Sequence, residues 1–494
     1  MVTKKQKLEN RPVRVRIAPS PTGPAHIGTA RTALFNYLFV KQNNGKFILR
    51  IEDTDKERSE QRWTDEVIDQ LKWLGIQWNE GPDIDGKFGP YKQSQRTDIY
   101  KKYLEKLLEE KKAYYCFCTE EELENKRQEQ MSRGLAPKYD GKCAHLSAEV
   151  VSKNLSEGKQ SVIRFKVENK KVKFEDLIRG QVEFDMSLLG DVVIAKNLEN
   201  PLYHFAVVVD DFEMQISHII RGEEHLSNTP RQILLQEALD FYKPVYAHLP
   251  LMLNMDRSKM SKRQGDVAIS DYHNNGYLPE ALINFMVLLG WNPGTVKEIF
   301  SLSQLVKEFS IEKVQKAGAV FNISRLDFLN GFYIREKPIE KITELCVPYL
   351  KEAGLLVVGQ ASENKLEKIV EVSRTRMKKL SEIVELADFF FADKLNYDKE
   401  LLNWKTMGES EIKNSLESSK KILSEIRIWE RKDLEKVLVQ SAEEYNGNDK
   451  GALLWPLRVA LSGKKSSPSP FEIADILGKE ETIKRIEQAI KMFE

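Results

Sequence analysis

The chain has 494 residues and a net charge of +1, from 76 basic and 75 acidic side chains, so a polyanionic partner has to be met by local basic patches and not by the chain as a whole. Hydrophobic residues at 41% and charged residues at 31% exclude a disordered or collagen-like chain, and the length predicts about three domains of ~150 residues. Four cysteines exclude a disulfide scaffold, Met1 to Arg16 lack a signal-type apolar run, and the longest apolar stretch, Ala281 to Leu289, is too short for the ~20 residues of a spanning helix; a cytoplasmic protein is expected.

Val13, Val15 and Ile17 alternate with Arg14 and Arg16, which predicts a strand. Pro19, Pro21 and Gly23 end it, and Ala30, Ala33, Leu34, Tyr37 and Leu38 recur at helical spacing, so a helix begins near Thr29. Phe47 to Ile51 reads as a second strand, ending in Glu52-Asp53-Thr54-Asp55, and a helix follows through Trp63, Val67, Leu71 and Leu74. This βαβα order predicts a Rossmann-like parallel sheet, an α/β nucleotide-binding fold. From about Tyr91 the rhythm changes. A helix over Tyr100 to Lys112 leads into the cysteines, and short strands at Ser161 to Val167, Gln181 to Asp185 and Val192 to Ala195 form an α+β insertion. Leu202 to Val209 and His218 to Arg221 read as buried strands returning to the sheet, followed by a helix over Arg231 to Leu239. Beyond Ile311 the pattern is all-α, with a linker at Lys394 to Leu401. The expected division is a sheet domain at 1–90 and 201–250, the insertion at 91–200, a segment at 251–338, and two helical parts at 339–393 and 394–494.

Two segments carry phosphate chemistry. Pro24-Ala25-His26-Ile27-Gly28-Thr29 falls on a strand-to-helix turn, where unpaired N–H groups and the helix dipole favour an anion. Gly28 lets backbone approach a nucleotide, and His26 can donate to a phosphate. In Lys259-Met260-Ser261-Lys262-Arg263, the two lysines can neutralise a leaving pyrophosphate. Each segment alone is weak evidence; their order and context together are strong. Cys116-Phe117-Cys118 and Cys143-Ala144-His145 form a C-x-C…C-x-H array that suits one closed, structural, tetrahedral zinc per chain.

The two phosphate segments resemble the HIGH and KMSKS elements of class I aminoacyl-tRNA synthetases. Arg16 to Gly23, Arg50 to Asp55, Ala206 to Asp211, Ile220 to Leu226 and Leu457 to Gly463 narrow the resemblance to the glutamyl-tRNA synthetases, in the bacterial zinc-containing form. The resemblance implies a ligase that activates L-glutamate with ATP and Mg²⁺ and loads it onto tRNA-Glu, and in some members tRNA-Gln, acting as a monomer. It implies glutamate contacts from Arg16, Ala18, Ser20, Glu52, Tyr203 and Arg221. It also implies ATP contacts from Pro19, Thr22, His26, Gly28, Thr29, Glu224, His225, Leu251, Met252 and Lys262, with His26, Gly28, Lys259, Ser261 and Lys262 serving catalysis. The insertion would handle the acceptor end of tRNA, 251–338 the stem, and the helical half the anticodon arm. Thr29 stands where the general class I motif has a second histidine, as is common in the glutamyl branch, and Gln264 and His204 depart from the family pattern, which has histidine and asparagine there. A glutaminyl enzyme would carry β-barrels in place of the helical half, and a catalytically silent RNA-binding paralogue would not need the intact phosphate motifs.

Overall fold

The computed structural model describes residues 11–260, 268–356, 362–447 and 449–494. β1 (Arg14–Ile17) is buried along its whole length and pairs in parallel with β2 (Lys46–Leu49), Arg14 opposite Lys46 and Ile17 opposite Leu49. Between them runs α1 (Ile27–Gln42), whose buried residues include Ala30, Ala33, Leu34, Phe35 and Leu38 but also Arg31 and Asn36. A helix apolar nearly all round belongs in an interior. On the other flank of β1, the Ser217 N–H donates to the Arg14 carbonyl at 2.9 Å, bringing in β9 (His218–Gly222). β1 thus has β2 on one side and β9 on the other, and this reversal of strand order opens a crevice at the carboxyl ends of the strands.

Past β2 comes α2 (Gln61–Trp73), and α3 (Thr97–Glu109) then opens the insertion. The insertion holds β3 (Ala113–Cys116), α4 (Glu120–Ser132), α5 (Ala148–Ser156), β4 (Val162–Phe165), β5 (Lys171–Asp176), β6 (Gly180–Asp185), β7 (Val192–Asn197) and β8 (Asn200–Pro201). Strands β3, β4, β7 and β8 form an antiparallel sheet in that order. The β5–β6 hairpin leaves this sheet and joins the other: β5 pairs in parallel with β10 (Val245–Leu249), which pairs in parallel with β9. Ile163, Phe165, Ile194 and Ala195 share one buried cluster with Ile48 and with Phe205 to Val209, so insertion and parallel sheet have a common core.

One expectation is overturned. Leu202 to Val209 is not a strand; Tyr203–Glu213 forms α6, with Phe205 to Asp211 all buried. A short continuous apolar run has no period to separate a buried strand from a buried helix. The helix expected over Arg231 to Leu239 is α7 (Thr229–Ala238). β11 (Met252–Leu253) pairs in parallel with β12 (Ala319–Val320), and α8 (Pro279–Leu288) lies between them in sequence.

The chain forms two compact units, Met1–His273 with Pro279–Ile323, and Asn274–Leu278 with Ser324–Glu494. The second is helical among its described residues: α9 (Ile323–Glu336), α10 (Ile339–Glu352), α11 (Glu363–Arg374), α12 (Glu409–Glu425), α13 (Arg431–Asn446), α14 (Gly451–Ser462), α15 (Pro470–Leu477) and α16 (Lys479–Ile490) are its main elements. Among the described residues no helix is long and apolar enough to cross a membrane.

Candidate active site and metal centre

The crevice between β1 and β9 contains a cavity of about 250 Å³ lined by Arg16, Ala18, Pro19, Ser20, Gly28, Thr29, Glu52, Tyr203, Arg221, Glu224 and His225, together with Ile17, Thr32, Ile220 and Gly222. All six residues expected at glutamate are there. A neighbouring cavity of about 190 Å³ is lined by His26, Gly28, Thr29, Glu224, Leu251, Met252, Lys259 and Met260, and by Arg31. Gly28, Thr29 and Glu224 border both. Thr22 is exposed and lines neither. Ser261 and Lys262 lie outside the described residues.

The turn before α1 is built by its own residues. The His26 ring caps the helix, its Nδ1 accepting from Gly28 N at 2.9 Å, which leaves the proton of the neutral ring on Nε2. A Cβ on Gly28 would stand 3.0 Å from that Nδ1, so any other residue would push the cap aside. Lys259 is placed by a short hairpin: it bridges to Leu253, and Met260 N donates to the Met252 carbonyl at 3.1 Å. Ala268 bridges to His26.

The charges beside the first cavity form a buried network. Arg16 donates through Nε and Nη2 to the two oxygens of Asp211 at 3.0 and 3.2 Å. Arg50 donates to Asp211 at 2.8 Å and to Glu52 at 3.1 Å. Burial alone would raise the Asp211 pKa, but Arg16 and Arg50 outweigh it and hold the carboxyl below its ordinary value. In Glu52 burial wins over the same arginines, and its pKa is raised. With Asp210 Oδ2 3.8 Å from Arg50 Nε, two arginines thus face three carboxylates. Arg221 is different: its partners are His248, Thr229 and Gln232, none of them an acid, and its Nη1 is buried with no hydrogen-bond partner among the described residues. His225, linked to the Tyr203 hydroxyl at 3.2 Å, has its pKa lowered to about 3 by burial and then by Arg221 and Arg16, so it stays neutral.

Sequence reading missed Arg31. It projects from α1 onto the second cavity, is only 4% exposed, and donates through Nη1 to the Pro250 carbonyl at 2.7 Å, while Nε and Nη2 have no hydrogen-bond partner among the described residues. Burial lowers its pKa to about 10. A charged residue on a helix face that is otherwise apolar was the available signal.

In the insertion, the thiols of Cys116, Cys118 and Cys143 lie within 4.8 Å of one another, and all are unoxidised. The Cys118 and Cys143 sulfurs are 3.7 Å apart, far beyond a disulfide and close to the roughly 3.8 Å separating two thiolates on one tetrahedral zinc. Burial and the neighbouring sulfurs push the Cys118 thiol up to about 11, whereas at Cys116 burial is outweighed by hydrogen bonds with Tyr139 and Arg164, which hold its thiol below the ordinary value. The expected fourth ligand, His145, is exposed and does not join the trio. The Tyr139 hydroxyl occupies that side, 3.4 Å from the Cys116 sulfur, 3.6 Å from the Cys118 sulfur, and accepting from Cys143 N at 3.0 Å. The C-x-H spacing found the histidine; nothing in the sequence pointed to the tyrosine.

The helical unit uses its tryptophans structurally. The indole N–H of Trp404 donates to Asp449, that of Trp429 to the Ala474 carbonyl and that of Trp455 to the Leu401 carbonyl.

A nucleotide-type crevice with a buried cation-lined cavity at its mouth defines the class. Residues 12–328 match the family described as tRNA synthetases class I (E and Q), catalytic domain, and residues 341–490 match an anticodon binding domain. The glutamate–tRNA ligase of Carboxydothermus hydrogenoformans is 46% identical over 477 residues, covering 96% of this chain and 99% of that protein. Glutamate–tRNA ligase 1 of Caldicellulosiruptor saccharolyticus is also 46% identical, over 96% of this chain and 98% of its own length. The crystal structure of a glutamate tRNA ligase from Elizabethkingia meningosepticum, in complex with its amino acid, superposes with a TM-score of 0.88 at 35% identity, covering 98% of this chain and all of that one (100%). The chain belongs to the glutamate–tRNA ligase family of class I tRNA synthetases.

Proposed function

We propose that the chain joins L-glutamate to the 3′ end of tRNA-Glu in two steps. The glutamate α-carboxylate attacks the α-phosphorus of ATP, forming the mixed anhydride and releasing pyrophosphate. A terminal ribose hydroxyl of the tRNA then attacks the carbonyl, and AMP leaves. Arg221 carries this reading: it is a buried arginine on the cavity with, among the described residues, no acidic partner and one unused donor, which suits a substrate carboxylate. Arg16 is the second cationic wall, tempered by Asp211, and Glu52 and Ser20 face the α-amino group. The chemistry is positioning and charge stabilisation, with His26, Arg31, Lys259 and Lys262 around the phosphates. Magnesium travels with ATP and shields its charge.

The metal of the insertion is zinc, held by the three thiolates, and its work there is structural. The insertion binds the acceptor end, 251–338 the stem, and the two helical parts, meeting near residue 394, the anticodon arm. Glutamate-dependent exchange of pyrophosphate into ATP, with and without tRNA, tests the activity; charging of separate tRNA-Glu and tRNA-Gln transcripts sets its tRNA range. Absence of exchange under both conditions overturns the reading.

A further inference from the structure

Two buried residues beside the cavity do not touch it. Asp176 ends β5 in the insertion; His248 lies on β10. Both side chains are fully buried (0%), and the His248 Nδ1 lies 2.6 Å from Asp176 Oδ2. The other carboxylate oxygen accepts from the main-chain N–H groups of Ile178 and Arg179 at 3.0 and 2.8 Å, which fixes the carboxylate in place. On the far side of the ring, Nε2 lies 3.2 Å from Arg221 Nε and 3.0 Å from the Thr229 hydroxyl.

These contacts allow one protonation pattern. An arginine Nε can only donate, so His248 Nε2 must offer its lone pair. The ring is then the Nδ1–H tautomer, and Asp176 is the acceptor that selects it. Burial, aided by Arg221, keeps the ring neutral against the pull of Asp176. With Nε on His248, and Nη2 on Thr229 and Gln232 at 2.8 Å each, the planar guanidinium has no rotation left. Nη1 is the nitrogen that remains for a ligand.

We infer that Asp176 and His248 are positioning residues: they orient the Arg221 guanidinium toward the amino-acid carboxylate, so that a residue supplied by the insertion sets the affinity of the glutamate cavity. This rests on the reading of Arg221 as a substrate anchor. A purely structural pair would affect folding and every kinetic constant alike. A positioning pair acts on glutamate alone.

The test is glutamate-dependent ATP–pyrophosphate exchange in the full-length protein with tRNA present. His248→Phe keeps a buried ring of similar size and removes both ring nitrogens. It should raise the KM for glutamate by ~10-fold or more, leaving kcat within about threefold and the KM for ATP unchanged. His248→Gln, whose Oε1 can stand where Nε2 stood, should recover most of the loss. Asp176→Asn, which no longer selects the tautomer, should fall between. A glutamate KM equal to wild type in His248→Phe, or no recovery in His248→Gln, overturns the inference. If His248→Phe does not fold, Asp176→Asn decides alone, and a wild-type glutamate KM there overturns it. Wild-type protein inactive in exchange would instead overturn the functional reading, and the inference with it.

Discussion

The cavity between β1 and β9 and the cysteine lobe solve the burial of reactive groups in opposite ways. Beside the cavity, Arg16, Arg50, Asp211 and Glu52 answer one another, whereas Arg221 has no acid among its partners and its Nη1 has no hydrogen-bond partner among the described residues. In the lobe, three thiols of the same kind crowd together, and little else is packed: between Cys116 and Ile163 the one buried residue is Cys143. Helices α4 and α5 bury nothing. The first region is ordered by its own charges; the second has, in place of a core, a thiol cluster that could hold a metal ion.

The difference can be broken from either side. Stripping the metal, or Cys143→Ser, should have the largest effect, because structural zinc contributes roughly 10–16 kcal/mol in small sites. Hydrogen exchange should show loss of protection over residues 117–160, with β1, β2 and β9 unchanged and the metal absent by elemental analysis; an intact lobe would mean that it folds without metal. Asp211→Asn is the mirror experiment. It leaves Arg16 and Arg50 short of an anion in the interior and should cost about 3–5 kcal/mol in urea unfolding, with metal content unaltered. Arg221→Ala should raise the glutamate KM by ~100-fold with the ATP KM nearly unchanged, since a buried carboxylate loses its cation. A glutamate KM near wild type would remove Arg221 from the site.

Acid sharpens the contrast further. His204 and His218 have pKa values lowered to about 4 and His225 to about 3, in each case chiefly by burial. The unfolded chain therefore binds more protons than the folded one below pH ~6.5, and stability falls as pH drops from there toward 4. Glu52, with its raised pKa, acts in the opposite sense but is one group against three. The urea midpoint of metal-stripped protein should be lower at pH 5.0 than at pH 7.5; an equal or higher midpoint would show that the histidines are not buried neutral. The smallest effect separates the candidates for the fourth metal position: Tyr139→Phe should weaken zinc binding in a chelator competition, and His145→Ala should not. The reverse result would return the histidine to the site.

The strand-turn-helix at Val13 to Leu38 was legible because alternation, a Pro/Gly break and a 3.6 period follow one another without interruption. The same logic failed at Leu202 to Val209, where an apolar run is equally at home in a helix packed on every side. The cavity's residue list was readable from the family resemblance, yet the pairing of Arg16 with Asp211 was not, because 195 positions separate them. Asp176 and Arg31 carried no motif; only the fold brings them to the crevice. The cysteines announced themselves by spacing, but the phenol beside them is set by the turn at Gly141, whose left-handed φ of 78° precedes Cys143.

The β5–β6 hairpin has a consequence for anyone who would trim this chain. It closes one end of the β6-β5-β10-β9 sheet, and its outermost strand carries Glu183 bridged to Lys171 at 2.8 Å and Lys173 at 2.6 Å. Charged side chains along an outer strand discourage another chain from adding itself to the row of open N–H and C=O groups. Excising the insertion as though it were a detachable module would leave β10, buried along Tyr246 to Leu249, as a bare apolar margin. The shortened protein should self-associate strand to strand, which would mask any effect of the excision on activity.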